Sequence, residues 1–299
     1  MKKSIIKIRD LTKQEILNIL DIAKQIKSDG FEKFRKSKHF VVGLVFFEES
    51  TRTRIGFEVA TKKLGGDTFF LNETKNKKTM SIPESKGDTL MVLQDYCDIL
   101  CLRDGTENSE NIGKKLEVPI VNCGDNDEHP TQSLIDLMAI REHFGRLDNL
   151  KILMVGDLRN MRVAHSFLLA ISKFSNIEIT CVSPKKLRFM PKYTELAKSS
   201  GNKVNETEVL NLKNVDVIYV AGLPPHTPQG IFDSKIRKKY QINSENLITL
   251  DYKSIILCPL PRVDEIDSDV DKSNHAKYFL QSKNGMFVRA AIILTLLKK

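Results

Sequence analysis

Residues Phe40 to Phe47 form an unbroken apolar run, rich in valine and phenylalanine, that ends at Glu48, Glu49, Ser50, Thr51, Arg52, Thr53 and Arg54. A run of this kind reads as a strand buried on both faces, which requires a parallel sheet covered on both sides. Ile55, Phe57, Val59, Ala60 and Leu64 then recur at helical spacing until Gly65 and Gly66 offer a stop. The hydroxyl and guanidinium cluster therefore falls at a strand-to-helix turn. Free backbone N–H groups and the helix dipole favour an anion there. Ser50, Thr51 and Thr53 add hydroxyl donors, and Arg52 adds a planar fork suited to phosphate. The competing reading is a capped helix with solvated arginines, since Ser and Thr are ordinary N-caps.

The rest of the chain repeats the alternation. A capping box from Thr12 to Glu15 opens a first helix through Ile16, Leu17, Ile19, Leu20, Ile22 and Ala23. Strands are expected at 40–47, 67–71, 97–102 and 118–122 in the first half, and at 151–155, 178–182, 215–220 and 255–258 in the second. A helix from Pro130 to near Gly145 separates the two sets, and an apolar helix from Met286 to Leu297 closes the chain. The expected fold class is α/β: two lobes, each a parallel sheet flanked by helices, joined by a bridging helix and closed by a C-terminal helix. Residues 72–88 are polar, lysine-rich and interrupted by Pro83, and read as a mobile loop.

Further polar residues sit at strand exits, where open α/β sheets bind ligands. Arg103 follows the apolar stretch Ile99 to Leu102, and Arg162 follows Val155, Gly156, Asp157 and Leu158. His129 and Gln132 flank a helix-start proline and are three residues apart, so they can face one pocket; a plain turn histidine is the alternative. Cys258, Pro259, Leu260, Pro261 and Arg262 leave a strand with two prolines that cannot continue a ladder.

Composition narrows the partners. The chain has 299 residues, 41% of them hydrophobic, and a net charge of +9. Its lysines are dispersed among acids rather than interleaved with aromatics, which favours a solvated surface over nucleic acid. No stretch of about eighteen apolar residues occurs, and Met1, Lys2 and Lys3 lead into no signal-peptide core, so neither a membrane nor export is expected and the chain is placed in the cytoplasm. Cys97, Cys101, Cys123, Cys181 and Cys258 lack zinc-type spacing and read as buried thiols; no metal and no redox cofactor is expected.

With these elements in order, the chain resembles the aspartate and ornithine carbamoyltransferase family over nearly its full length. The resemblance rests on FFEESTRTR at 46–54, HPTQ at 129–132, GRLDNLKILMVGDL at 145–158, PLPRVDEI at 259–266 and NGMFVRAAI at 284–292. PLPRVDEI points to the aspartate branch. The resemblance implies transfer of the carbamoyl group of carbamoyl phosphate to an amino-acid acceptor, L-aspartate foremost, as in pyrimidine biosynthesis. It implies a carbamoyl-phosphate domain over 1–132, an acceptor domain over 133–283, and a C-terminal helix, 284–299, packing back on the first. Ser50, Thr51, Arg52 and Thr53 match the phosphate ligands, and Arg103 matches a residue reaching phosphate and carbonyl. His129 and Thr53 match the carbonyl ligands; Gln132 and the backbone at Leu260, before Pro261, match those of the carbamoyl amide. Arg162 matches the residue on the acceptor α-carboxylate. Lys86 matches a lysine given to a neighbouring subunit, which implies a homotrimer with shared active sites; a regulatory subunit is left unspecified.

Two positions depart from the family pattern. Where the aspartate branch carries an arginine for the β-carboxylate, this chain has Gly222, within Ala221, Gly222, Leu223, Pro224 and Pro225. Lys86, His226 or Arg237 could substitute; otherwise the acceptor is a different amine, or the chain binds carbamoyl phosphate without catalysis. An expected phosphate-binding serine is replaced by Ile82, with Ser81 and Ser85 nearby.

Overall fold

The computed structural model describes residues 4–72, 85–106, 109–113 and 115–297. The chain divides into two compact units, residues 1–134 with 285–299, and residues 135–284.

The first unit begins with α1 (Lys13–Asp29), whose start is fixed by the expected capping box: Thr12 Oγ1 accepts from Glu15 N at 3.2 Å and Thr12 N donates to Glu15 Oε2 at 2.9 Å. Ile16, Ile19, Leu20, Ala23 and Ile26 form its buried stripe. There follow β1 (Val41–Phe46), α2 (Thr51–Lys63), β2 (Asp67–Asn72), α3 (Lys86–Leu93), β3 (Ile99–Asp104), α4 (Ser109–Gly113) and β4 (Ile120–Asp125). The four strands are parallel in the order β2-β1-β3-β4. Val42, Leu44, Val45 and Phe46 of β1 are fully enclosed, each stabilising the fold by roughly 1.5–3 kcal/mol relative to exposure. Helix α5 (Pro130–Phe144) starts in this unit and ends in the second.

The second unit contains β5 (Leu150–Gly156), α6 (Arg162–Ile171), β6 (Ile177–Val182), α7 (Pro191–Ser199), β7 (Lys203–Thr207), β8 (Val217–Gly222) and the short antiparallel pair β9 (His226–Thr227) and β10 (Gly230–Ile231). After α8 (Ser234–Lys238) and α9 (Ser244–Leu247) come β11 (Ile255–Leu257) and α10 (Tyr278–Leu297), which ends in the first unit. The larger sheet is parallel throughout, in the order β11-β8-β5-β6-β7. Strand β7 was not expected, and α10 begins eight residues before Met286. The polar stretch 72–88 is partly corrected: Ser85 caps α3 by accepting from Asp88 N at 3.1 Å, so Lys86 lies on a helix, while residues 73–84, including Ile82, lie outside the described residues.

Both sheets contain a topological switch point. In the first, the chain leaves β1 toward β2 on one side and β3 on the other; in the second, it leaves β5 toward β6 on one side and β8 on the other. Ligands bind at the carboxyl ends of strands flanking such points.

Candidate active site

At the first switch point, Phe46 of β1 is the register partner of Arg103 of β3. Arg103 is thus inside β3, not just past it, and the strand lies two residues later than its sequence pattern suggested. Its guanidinium is almost wholly buried. One Nη donates to Cys123 O at 3.0 Å, and the other pairs with Glu48 Oε1 at 2.8 Å. His129 Nε2 stands 3.5 Å from Arg103 Nη1, and His129 Nδ1 is 3.2 Å from the Thr131 hydroxyl. Arginine can only donate, so across this contact Nε2 accepts and the imidazole proton lies on Nδ1, directed at the Thr131 oxygen; when the Thr131 hydroxyl instead donates to Nδ1, the proton moves to Nε2, the tautomer that can donate to a bound ligand.

This approach depends on Gly124. Its φ is +113°, and a Cβ there would fall 2.8 Å from Arg103 Nη1 and 3.1 Å from His129 Cδ2. The glycine therefore supplies both a backbone conformation and the space in which the two side chains meet. Asp125 secures the following turn, its Oδ1 accepting from Asp127 N at 2.9 Å and Glu128 N at 2.8 Å. Glu128 is fully buried and accepts from Ile8 N at 2.7 Å; burial pushes its pKa up to about 7, against the pull of that N–H and of Arg9.

Ser50 is the N-cap of α2, with φ −158° and ψ 103°, yet its side chain makes no capping hydrogen bond. Of the competing reading, a capped helix with solvated arginines, the side-chain cap does not form. The two arginines of the cluster differ: Arg54 pairs with Glu58 at 3.3 Å and stacks 4.7 Å from the Phe70 centroid, whereas Arg52 is exposed and has no ion pair among the described residues. Thr51 is exposed and Thr53 is buried. Gln132 is half-buried in the first turn of α5, its N–H bonded to His129 O at 3.0 Å. The first unit thus brings together Ser50, Thr51, Arg52 and Thr53 at one helix start, and Arg103 with His129 at the adjacent strand ends.

Lys86 is committed within its own chain. Its Nζ lies 2.5 Å from Asp104 Oδ2 and 2.8 Å from Thr106 Oγ1, and sits 5.0 Å from the Phe47 ring centroid. Burial raises the Asp104 pKa, but the bonds from Lys86 and Thr106 outweigh it and hold the carboxyl below its ordinary value.

The second switch point belongs to the other unit. Gly156 and Gly222 are register partners at the ends of β5 and β8; a Cβ on Gly156 would come 2.3 Å from Gly222 O, which instead accepts from Asp157 N at 2.7 Å. Arg162 opens α6 immediately beyond. Gly222 has φ +84°, and its missing Cβ would stand 3.3 Å from Glu265 Oε1. A pocket here is lined by Gly156, Gly222, Leu223, Arg237, Tyr240 and Glu265. Arg237 is paired with Asp264, and His226 is exposed on β9. Leu260, three residues past β11, holds the left-handed φ of +55° that leucine rarely adopts, and its bond to Pro261 is cis. No sequence pattern announced that conformation. Glu48, Gly124 and the buried Arg289 were also missed; a glycine ending an apolar strand was the one available signal, for Gly124.

Residues 3–142 match the domain described as aspartate/ornithine carbamoyltransferase, carbamoyl-P binding domain, and residues 148–296 match the Asp/Orn binding domain of the same family. The chain belongs to the aspartate/ornithine carbamoyltransferase family. Among its relatives, the aspartate carbamoyltransferase catalytic subunit of Methanocaldococcus jannaschii is 39% identical, covering 99% of this chain and 98% of the relative. That of Methanobrevibacter smithii is also 39% identical, over 99% and 95% respectively. The catalytic subunit of M. jannaschii aspartate transcarbamoylase superposes with a TM-score of 0.89 at 38% identity, covering 100% of this chain and 98% of that one. The Trypanosoma cruzi aspartate transcarbamoylase in complex with carbamoyl phosphate gives a TM-score of 0.87 at 26% identity, over 98% and 95%. The first match ends at residue 142, in the last turn of α5, and the second begins at residue 148, just before β5.

Proposed function

We propose that the chain is an aspartate carbamoyltransferase, transferring the carbamoyl group of carbamoyl phosphate to the amine of L-aspartate in pyrimidine biosynthesis in the cytoplasm, as a homotrimer. The observation that carries the reading is the pairing, at the first switch point, of an uncapped helix start bearing Arg52 with the buried Arg103 and His129. Ser50, Thr51, Arg52, Thr53 and the α2 N–H groups hold the phosphate. Arg103, His129 and Thr53 stabilise the oxyanion that develops as the neutral amine attacks the carbamoyl carbon. The C–O bond to phosphate then breaks, Arg52 stabilises the departing dianion, and that phosphate takes the proton released by the amine. Gln132 and the backbone at Leu260 and Pro261 orient the carbamoyl amide, and Arg162 holds the acceptor α-carboxylate. Lys86 reaches a neighbouring subunit's site after leaving Asp104.

Gly222 supports a second reading, in which the acceptor is another amine. No guanidinium stands on this position, Arg237 is paired with Asp264, and a Glu265 carboxylate oxygen faces the glycine. A lost charge-assisted pair costs about 1.5–3 kcal/mol, or roughly 10- to 150-fold in affinity. An acceptor panel read as phosphate release from carbamoyl phosphate separates the two. The first reading expects turnover of aspartate, with a KM raised by about that factor; faster turnover of an acceptor without a second carboxylate selects the other.

A further inference from the structure

The first unit contains a cation that the scheme above does not use. Arg289 projects from α10, is 5% exposed, and has no hydrogen bond or ion pair among the described residues, its Nε included. Its guanidinium packs on Gly56 of α2, where a Cβ would come 2.5 Å from Nη1 and 2.9 Å from Cζ, and lies 5.8 Å from the Phe57 ring centroid. Gly56 is four residues after Arg52, so the two share a helix face. The glycine thus opens a slot through which a buried charge, held by the Phe57 ring face but by no hydrogen bond or ion pair among the described residues, reaches the first turns of the helix that carries the anion cluster. A buried charge without a partner is costly, and an arginine does not escape the cost by losing its proton under ordinary conditions. Burial lowers the Arg289 pKa to about 10 against the opposing pull of Cys123 and Cys101, and Arg52 adds a smaller push in the direction of burial, which places the two positive charges in each other's field.

We propose that Arg289 is a positioning cation for the anion site: from under α2 it supplies positive charge that a phosphate dianion at the helix start neutralises. This rests on the reading of that helix start as a phosphate site. The arrangement lets ligand binding relieve an electrostatic strain of the empty protein, so that affinity is gained at the expense of unliganded stability.

Titration calorimetry with inorganic phosphate, paired with thermal melts, tests this on the full chain. Arg289→Met, which keeps the length and removes the charge, should bind phosphate on the order of tenfold more weakly. It should melt at or above the wild-type temperature without phosphate, with a smaller rise on adding phosphate. Arg289→Lys should keep most of the affinity. Should Arg289→Met fail to fold, Gly56→Ala, which drives the guanidinium out of its slot while improving helix propensity, should weaken phosphate binding instead. Unchanged phosphate affinity in the folded variant, or a lysine variant as weak as the methionine one, overturns the proposal and leaves the phosphate site standing. A wild-type chain that binds no phosphate overturns both.

Discussion

Glu128 shows how a single buried residue couples the site to pH. Its carboxyl titrates near pH 7 in the folded chain against an ordinary value of 4.5, because burial outweighs the bond from Ile8 N and the attraction of Arg9. Between these two values the native state holds a proton that the unfolded chain has released. Its contribution to stability is therefore complete below about pH 4.5 and lost as pH rises through 7, a change of about 3 kcal/mol at most. Glu128→Gln keeps an acceptor for Ile8 and removes the titration. Melts from pH 5 to 8 should fall more steeply for the wild type than for the variant, and parallel curves would show that the proton is not there. Gly124 acts at the same scale, since adding one methyl group would put a carbon 2.8 Å from the Arg103 guanidinium.

At the scale of elements, the sequence was most readable where periodicity and end signals agree. The capping box at Thr12 and Glu15, the apolar run of β1 and the proline at the start of α5 all became the elements their chemistry implies. Strand β7 escaped notice because Lys203, Asn205 and Glu206 interrupt its only buried valine, as befits the edge of the sheet. The shift of β3 to include Arg103 and Asp104 has a related cause. Strand character there comes from ladder partners Phe46 and Asp125 rather than from apolar side chains, and no local pattern reports a partner. The hydroxyl and guanidinium cluster was legible because it is contiguous, from Ser50 to Thr53. Contacts between distant stretches were not: Glu48 with Arg103, Lys86 with Asp104, and Arg289 with Gly56 are separated by tens to hundreds of residues and only the fold brings them together.

At the scale of the whole molecule, the two parallel sheets each offer a switch point, and each match to the family covers one of them. Among the described residues no helix is long and apolar enough to cross a membrane, and no cluster of metal-ligating side chains occurs. The proposed homotrimer has a direct consequence for Lys86, whose own-chain partners are Asp104 and Thr106. If it serves a neighbour's site, inactive Lys86→Ala and inactive Arg52→Ala chains, mixed and reassembled, should regain activity in sites combining an intact copy of each. Mixed oligomers that form and stay inactive would confine the lysine to its own chain. The central claim is that the helix start after β1 stabilises the phosphate as it leaves. Its most direct measurement is kcat for carbamoyl transfer in Arg52→Ala, whose exposed side chain has no ion pair among the described residues, so that folding should be unaffected. The predicted result is a fall of about 100- to 1,000-fold with a melting temperature no lower than that of the wild type; a folded variant with the kcat of the wild type would contradict it.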